Sequence, residues 1–124
     1  LPIEMKLCES RFIKAAVVLG QDERYLAALL VADKDEIESY AKENGIPFAS
    51  YEELLRNEDI IAMYETEVAN LVSAKNGFKM FEHINKIALL PKEFEVGVEL
   101  SAKQEVMRYR INTIYAKEIK NLFK

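Results

Sequence analysis

Short apolar runs separated by charged stretches indicate the secondary structure of this chain. "FIKAAVVLG" and "YLAALLVA" are two such runs, joined by the polar "QDER", and they predict a hairpin with strands over residues 13–19 and 25–31. "INKIALLP" predicts a third strand over residues 84–90, which Pro91 ends. Neither of the first two strands alternates cleanly between apolar and polar residues. We therefore expect both faces of the sheet to be covered, as in a layered α/β domain.

Polar residues at characteristic spacings mark where helices begin. Asp33 with Glu36, and Ser50 with Glu53, have the spacing of capping boxes, in which the first side chain accepts a backbone N–H three residues later. Ser101 with Gln104 has a similar spacing. The predicted helices cover residues 3–10, 33–44, 51–57, 58–75 and 102–123. The predicted fold class is therefore α/β (α+β), with a small three-stranded sheet flanked by helices.

The last predicted helix carries an apolar stripe at helical spacing, which we expect to be buried. Its members are Met107, Ile111, Ile114, Tyr115, Ile119 and Leu122.

Length and charge limit the classes of protein that fit. A chain of 124 residues is long enough for one domain with one core. No apolar run approaches the ~20 residues of a membrane span. Residues 33–67 hold eleven acids and three bases, whereas residues 101–124 hold six bases and two acids. The basic end is too weak, and too poor in interleaved aromatic residues, to indicate a nucleic-acid partner.

Few residues in the chain favour independent catalysis. His83 is the only histidine and Cys8 the only cysteine, so the sequence favours neither a metal site nor an internal disulfide. We expect Cys8 to be a small buried hydrophobe on the first helix, in a protein of the reducing cytoplasm. Glycine-rich phosphate loops and nucleophile elbows are absent from the sequence. By itself, the chain lacks a complete active site.

The stretch "ELSAKQEVMRYRI", residues 99–111, is the best candidate for a functional segment. Lys103 lies in the first turn of the predicted helix, and Glu105 can pair with Arg108 three residues later. The residues alone favour a capped surface helix with a solvated face. The alternative is that Lys103, at a loop–helix junction, serves a partner surface.

Two long stretches of the chain resemble a known family. "IEMKLCESRFIKAAVVLGQDERYLAALLVADKDEIESYAKENGI" and "FEHINKIALLPKEFEVGVELSAKQEVMRYRINTIYAKEI" resemble the C-terminal domain of long-chain fatty-acyl-CoA synthetases, AMP-forming enzymes of the adenylate-forming superfamily. The block "VVLGQDERYLAALLV" is the most specific part. The matching residues are Ile3, Glu4, Leu7, Val17, Val18, Gly20, Gln21, Asp22, Tyr25, Leu26, Ala27, Ala28, Leu29 and Val31.

The resemblance implies a two-step reaction in a longer parent protein. A fatty acid and ATP, with Mg²⁺, give an acyl-adenylate and pyrophosphate, and CoA then displaces AMP. The family's large N-terminal domain holds most of the nucleotide and fatty-acid sites, and the C-terminal domain is a lid that rotates between the two steps. In one orientation, the lid brings a lysine of its last loop to the adenylating centre, where a cation stabilises developing negative charge.

The chain departs from the family pattern at this lysine. Aligning Leu100 and Ser101 with the start of the family motif, and Arg108 with its arginine, places Glu105 at the lysine position. Lys103 is two residues earlier, and a slip of two residues on a helix turns a side chain by about 200°. Three interpretations follow: Lys103 substitutes, another cation acts, or the parent is slow or specialised. The candidate site residues are Lys103 and Glu105.

We therefore expect residues 1–124 to be one domain, the C-terminal lid of a larger ligase, and inactive when isolated. Its partners would be the N-terminal domain, fatty acid, ATP and CoA, with no nucleic acid and no cofactor bound to the fragment itself. The parent would be cytoplasmic or peripherally associated with a membrane. The alternative function is a non-catalytic protein-interaction module of the same fold.

Overall fold

The structure, a computed structural model, describes residues 2–20 and 24–124. It contains one three-stranded sheet in the order β1-β2-β3, in which β1 and β2 are antiparallel and β2 and β3 are parallel. The strands are β1 (Ile13–Leu19), β2 (Leu26–Ala32) and β3 (Ile84–Leu90). The helices are α1 (Pro2–Leu7), α2 (Lys34–Glu43), α3 (Tyr51–Leu55), α4 (Glu58–Leu71), α5 (Arg108–Ile114) and α6 (Ala116–Leu122).

The predicted sheet is confirmed, with all three strands within one residue of their expected limits. The central strand β2 is buried on both faces, because its alternate residues contribute to two separate cores. Gln21 and Asp22, which belong to the most specific block of the resemblance, lie outside the described residues.

The larger core lies between one face of the sheet and helices α1 to α4. Ala28, Leu30 and Ala32 of β2 enter it from the sheet. Tyr64 of α4 is fully buried there, and its hydroxyl donates a hydrogen bond of 2.8 Å to the carbonyl of Phe12. This bond joins α4 to the segment that leads into β1.

The second core lies on the opposite face, under α5 and α6. Ala27, Leu29 and Val31 of β2 enter it, and Ile111 and Leu122 cover it from the helices. The C-terminal helices are thereby fixed against the centre of the sheet.

The N-cap bonds of the first two predicted capping boxes are confirmed. Asp33 accepts a hydrogen bond from the N–H of Glu36 at 3.1 Å, and Ser50 accepts one from Glu53 at the same distance. Helix α4 ends earlier than the predicted residue 75, because Val72 leaves helical geometry and a separate 3₁₀ turn follows. Helix α1 likewise stops at Leu7 instead of residue 10.

The prediction of a single helix over residues 102–123 is wrong at its beginning and at its centre. Ser101 caps no helix, and Gln104 adopts a left-handed backbone conformation with φ of 63° that an α-helix cannot contain. Helix α5 begins only at Arg108, and Tyr115 separates it from α6.

The apolar stripe predicted on that helix is confirmed in part. Ile111 and Leu122 are buried, and Tyr115 and Ile119 pack against them as partly buried residues. Ile114, the last residue of α5, is exposed.

Two sequence-based expectations remain to be compared with the structure: the burial of Cys8 and the absence of a membrane span. Cys8 is exposed just beyond α1, so the expectation of a buried cysteine on that helix is wrong. Within residues 2–20 and 24–124, no helix is long and apolar enough to cross a membrane.

Candidate functional site

Residues 100–106 form a small antiparallel hairpin instead of the start of a helix. Leu100 and Val106 pair across it, and the N–H of Ser101 donates to the carbonyl of Glu105 at 2.8 Å. The Ser101 hydroxyl accepts the N–H groups of Lys103 and Glu105, at 3.2 and 3.3 Å. A serine side chain satisfies nearby backbone donors in turns as it does at helix starts, so the sequence signal that predicted a cap led here to a turn.

Lys103 and Glu105 lie together on the tip of this hairpin, which we define as residues 102–105. Both side chains are exposed, and within the described part of the chain neither takes part in a salt bridge. The expected pair between Glu105 and Arg108 does not form. The helical argument that a shift of two residues would turn Lys103 away from the Glu105 position does not apply, because this segment is not helical.

One side of the hairpin borders an open groove of about 570 Å³ between the hairpin, α1 and β1. Leu100, Gln104 and Val106 line this groove, together with Met5 and Cys8. Lys103 and Glu105 do not line it, so the two charged groups stay available to solvent or to another surface.

Glu99 is the buried acid directly before the hairpin. Its side chain is 5% exposed, and its carboxylate accepts the N–H of Glu95 at 3.0 Å and the hydroxyl of Tyr115 at 2.6 Å. Its backbone carbonyl accepts the N–H of Met107 at 2.8 Å. One residue thus joins the loop before the hairpin, the chain after it and the break between the last two helices.

The hydrogen bonds around Glu99 favour its charged form. Burial opposes ionisation of this carboxyl, but the hydrogen bonds from Tyr115 and from the backbone N–H groups of Glu95 and Glu99 outweigh it, and Lys92 adds a favourable charge. The pKa of Glu99 is therefore lower than usual. Burial and the neighbouring carboxylate raise the pKa of Tyr115, so this hydroxyl remains a donor at neutral pH.

Arg108 fixes the beginning of α5 to residues from the N-terminal part of the chain. Its guanidinium donates to Glu4 Oε2 at 2.7 Å and to the carbonyl of Val18 at 3.0 Å. The same Glu4 oxygen accepts the N–H of Val18 at 2.7 Å. The network holds α1, the end of β1 and α5 together, and it explains why Arg108 does not turn toward Glu105.

The site can present charge, but it has no metal ligands of its own. Among residues 2–20 and 24–124, no three His, Cys, Asp or Glu side chains are grouped as a metal site would require. His83 is exposed and distant in sequence from the hairpin. The hairpin tip therefore presents one ammonium group, that of Lys103, and one carboxylate, that of Glu105.

Sequence reasoning missed Glu99 and the joint role of Glu4 and Arg108. An acid between Val98 and Leu100, in the otherwise apolar "VGVEL", is the one local signal for a buried carboxylate. No local pattern reveals the pairing of Glu4 with Arg108, because its partners lie at opposite ends of the chain.

Solved structures with the same fold come from adenylation domains. The chain superposes on the adenylation domain of a carboxylate reductase from Mycobacterium chelonae with a TM-score of 0.75 and 15% identity, covering 98% of this chain and 17% of that one. The corresponding domain from Segniliparus rugosus, in complex with AMP and a co-purified carboxylic acid, gives the same TM-score, identity and coverage. At this identity, the likeness shows the fold alone.

Two curated relatives share sequence with the chain. Long-chain-fatty-acid–CoA ligase 1 of Cavia porcellus is 28% identical over 102 residues, which cover 82% of this chain and 14% of the ligase. Probable acyl-activating enzyme 16, chloroplastic, of Arabidopsis thaliana is 26% identical over 125 residues, covering 100% of this chain and 17% of the enzyme. The chain thus spans less than a fifth of either relative.

A family model decides the assignment, because it matches the chain from end to end. The model is described as the C-terminal domain of AMP-binding enzymes and covers residues 1–124. The described fold, with its mixed three-stranded sheet between two helical layers, is the one found in the adenylation domains above. The chain belongs to the AMP-binding enzyme C-terminal domain family.

Proposed function

We propose that the chain is the mobile C-terminal lid of a long-chain fatty-acid–CoA ligase and that residues 1–124 form one domain of that longer protein. The ligase would use ATP and a fatty acid to form an acyl-adenylate, and then transfer the acyl group to CoA. The observation that carries the proposal is the exposed hairpin tip, which offers Lys103 at the segment aligned with the family's lysine loop.

Lys103 is the cation that we propose for the first step. Its ammonium is exposed at the hairpin tip, two residues before the aligned position Glu105. A point cation placed at the reacting phosphate stabilises the negative charge that develops there. Glu105 cannot do this, because a carboxylate repels the phosphates, so the proposal gives it no catalytic role.

The remaining components belong to other parts of the ligase in this proposal. The described residues contain no grouped metal ligands, so we assign Mg²⁺ and most of the ATP contacts to the N-terminal domain. The fatty acid and CoA enter the proposal through the similarity to a long-chain-fatty-acid–CoA ligase. We propose that the ligase is cytoplasmic or bound peripherally to a membrane.

A non-catalytic interaction module of the same fold is the second candidate. The alignment proposed above favours it, because it places an acid, Glu105, at the position of the family's lysine. In that case the exposed hairpin would serve a protein partner, and neither Lys103 nor Glu105 would act on a nucleotide.

The test is an assay of the full-length protein with each step measured separately. With palmitate, ATP and Mg²⁺ but no CoA, we expect pyrophosphate release and a bound acyl-adenylate, and on adding CoA we expect palmitoyl-CoA and AMP. Acetate and benzoate serve as control acids. Release with benzoate but not palmitate would contradict the long-chain assignment, and no release with any acid would favour the interaction module.

A further inference from the structure

Glu99 is an unusual residue for its position, because a carboxylate is buried directly below an exposed hairpin. A buried charge is costly unless it is fully hydrogen-bonded, and Glu99 uses both of its oxygens, one for the Glu95 N–H and the other for the Tyr115 hydroxyl. A buried carboxylate whose two oxygens are both bonded ties together the segments that supply the donors, here the loop at Glu95 and the break at Tyr115.

The contacts of Glu99 converge on the base of the hairpin. The Glu99 carbonyl accepts the Met107 N–H at 2.8 Å, so the residues on either side of the hairpin are joined. A second bond, from Arg110 Nε to the carbonyl of Val98 at 3.0 Å, holds the segment before the hairpin to α5. The tip, in contrast, is bonded only within the turn by Ser101.

Tyr115 connects this base to the core. It lies at the break between α5 and α6, and its ring packs against Phe94 with centroids 6.2 Å apart. The hydroxyl then reaches Glu99 at 2.6 Å. The direction of the hairpin is therefore set by a side chain anchored in the second core, which rests on the sheet.

We propose that Glu99 and Tyr115 form a clamp that positions the hairpin tip, and with it Lys103, for the adenylation step. Neither residue touches a substrate: both are positioning residues that act through the hairpin. The part of this inference that concerns adenylation rests on the proposed function, whereas the part that concerns the position of the hairpin does not.

The first experiment measures hydrogen–deuterium exchange of residues 1–124 within the full-length protein carrying Glu99→Gln, Glu99→Ala or Tyr115→Phe. Loss of a hydrogen bond to a charged group should raise exchange of residues 95–107 roughly ten- to hundredfold, while exchange of β1 and β2 stays unchanged. Glu99→Gln keeps one acceptor oxygen and should restore part of the protection lost in Glu99→Ala. Glu65→Gln, on the exposed face of α4, removes the same charge and should change nothing near the hairpin.

The second experiment measures both half-reactions in the full-length protein. The same variants should lower kcat for adenylate formation at least tenfold with an unchanged KM for ATP, and should leave thioester formation from preformed adenylate intact. The double variant of Glu99→Gln with Tyr115→Phe should be no slower than the worse single variant, because both substitutions act on the same Glu99–Tyr115 hydrogen bond.

The two experiments separate failure of this inference from failure of the proposed function. Unchanged exchange of residues 95–107 in all three variants would overturn the clamp, whatever the activity. Faster exchange with unchanged adenylation would overturn its role in presenting Lys103. If the unaltered full-length protein forms no adenylate, the proposed function fails, and so does the adenylation part of the inference, while exchange still decides the clamp itself.

Discussion

Tyr64 shows how a single polar atom can join distant parts of this domain. Its ring is fully buried in the larger core, next to Phe12 with the two ring planes nearly perpendicular. Its hydroxyl bonds to the Phe12 carbonyl, which lies at the entrance to β1. The ring contributes buried apolar surface, and the hydroxyl gives the Phe12 carbonyl a second donor beside the Asp33 N–H, which lies 2.9 Å away.

Tyr64→Phe should therefore destabilise the domain by about 0.5–1.5 kcal/mol, because it removes one hydrogen bond while the Phe12 carbonyl keeps its bond from the Asp33 N–H. Tyr109→Phe is the matched control, since Tyr109 is exposed and its hydroxyl contacts only the sulfur of Met107, at 3.5 Å. Urea unfolding of both variants, followed by circular dichroism, measures the difference. Equal stability of the two would show that the Tyr64 bond adds nothing.

At this scale, the sequence predicts local hydrogen bonds well and distant ones poorly. The bonds of Asp33 and Ser50 to residues three positions away follow from spacing alone and are confirmed. The bond of Tyr64 to a residue 52 positions away, and that of Glu99 to Tyr115, depend on tertiary packing. The acid within the apolar stretch around Glu99 hints at a buried carboxylate, but the sequence alone identifies the bonding partner in neither case.

At the scale of elements, the chain just after β1 lies close to both the beginning of β2 and the end of α6. Gly20 has φ of 104°, and a Cβ there would lie 2.5 Å from the Tyr25 carbonyl oxygen and 2.9 Å from the ring of Phe123. Tyr25 stacks on Phe123 and donates its hydroxyl to the Leu122 carbonyl at 2.6 Å. The glycine therefore allows the β2 start and the end of α6 to approach β1.

Gly20→Ala should cost about 2–4 kcal/mol, because it combines an unfavourable backbone conformation with a clash against the backbone. Gly45→Ala is the control: its φ of 67° is also positive, but no heavy atom lies within 4 Å of the added Cβ. We expect only about 1 kcal/mol there. Thermal unfolding compares the two, and an equal loss would contradict the close approach at Gly20.

The elements themselves were predictable wherever a strong pattern met no competing structure. The three strands were predictable, since their apolar runs are long and their ends are marked by polar or proline residues. The segment after Ser101 was not predictable, because a serine with a glutamine three residues later fits both a helix start and a turn. The pairing of Leu100 with Val106, together with the buried Glu99, selects the turn.

At the scale of the whole molecule, contacts with the rest of the domain hold the base of the hairpin, while its tip is exposed. The sheet, the second core and Tyr115 hold the base, and the Glu4–Arg108 contact fixes the helix that follows. The family assignment gives this arrangement a context, because C-terminal domains of AMP-binding enzymes are parts of longer proteins such as the two relatives described above. The sequence predicted Lys103 as a candidate residue, whereas only the structure shows that it lies on the tip of a hairpin.

The most direct test of the account is the rate of acyl-adenylate formation by the full-length protein carrying Lys103→Ala. Removing a group that stabilises transition-state charge should slow this step roughly a hundred- to thousandfold, while thioester formation from preformed adenylate stays nearly unchanged. Lys117→Ala, which removes another exposed lysine, on α6, should leave both steps unchanged. Adenylate formation at the normal rate in Lys103→Ala would contradict the claim that the hairpin tip acts in the first step.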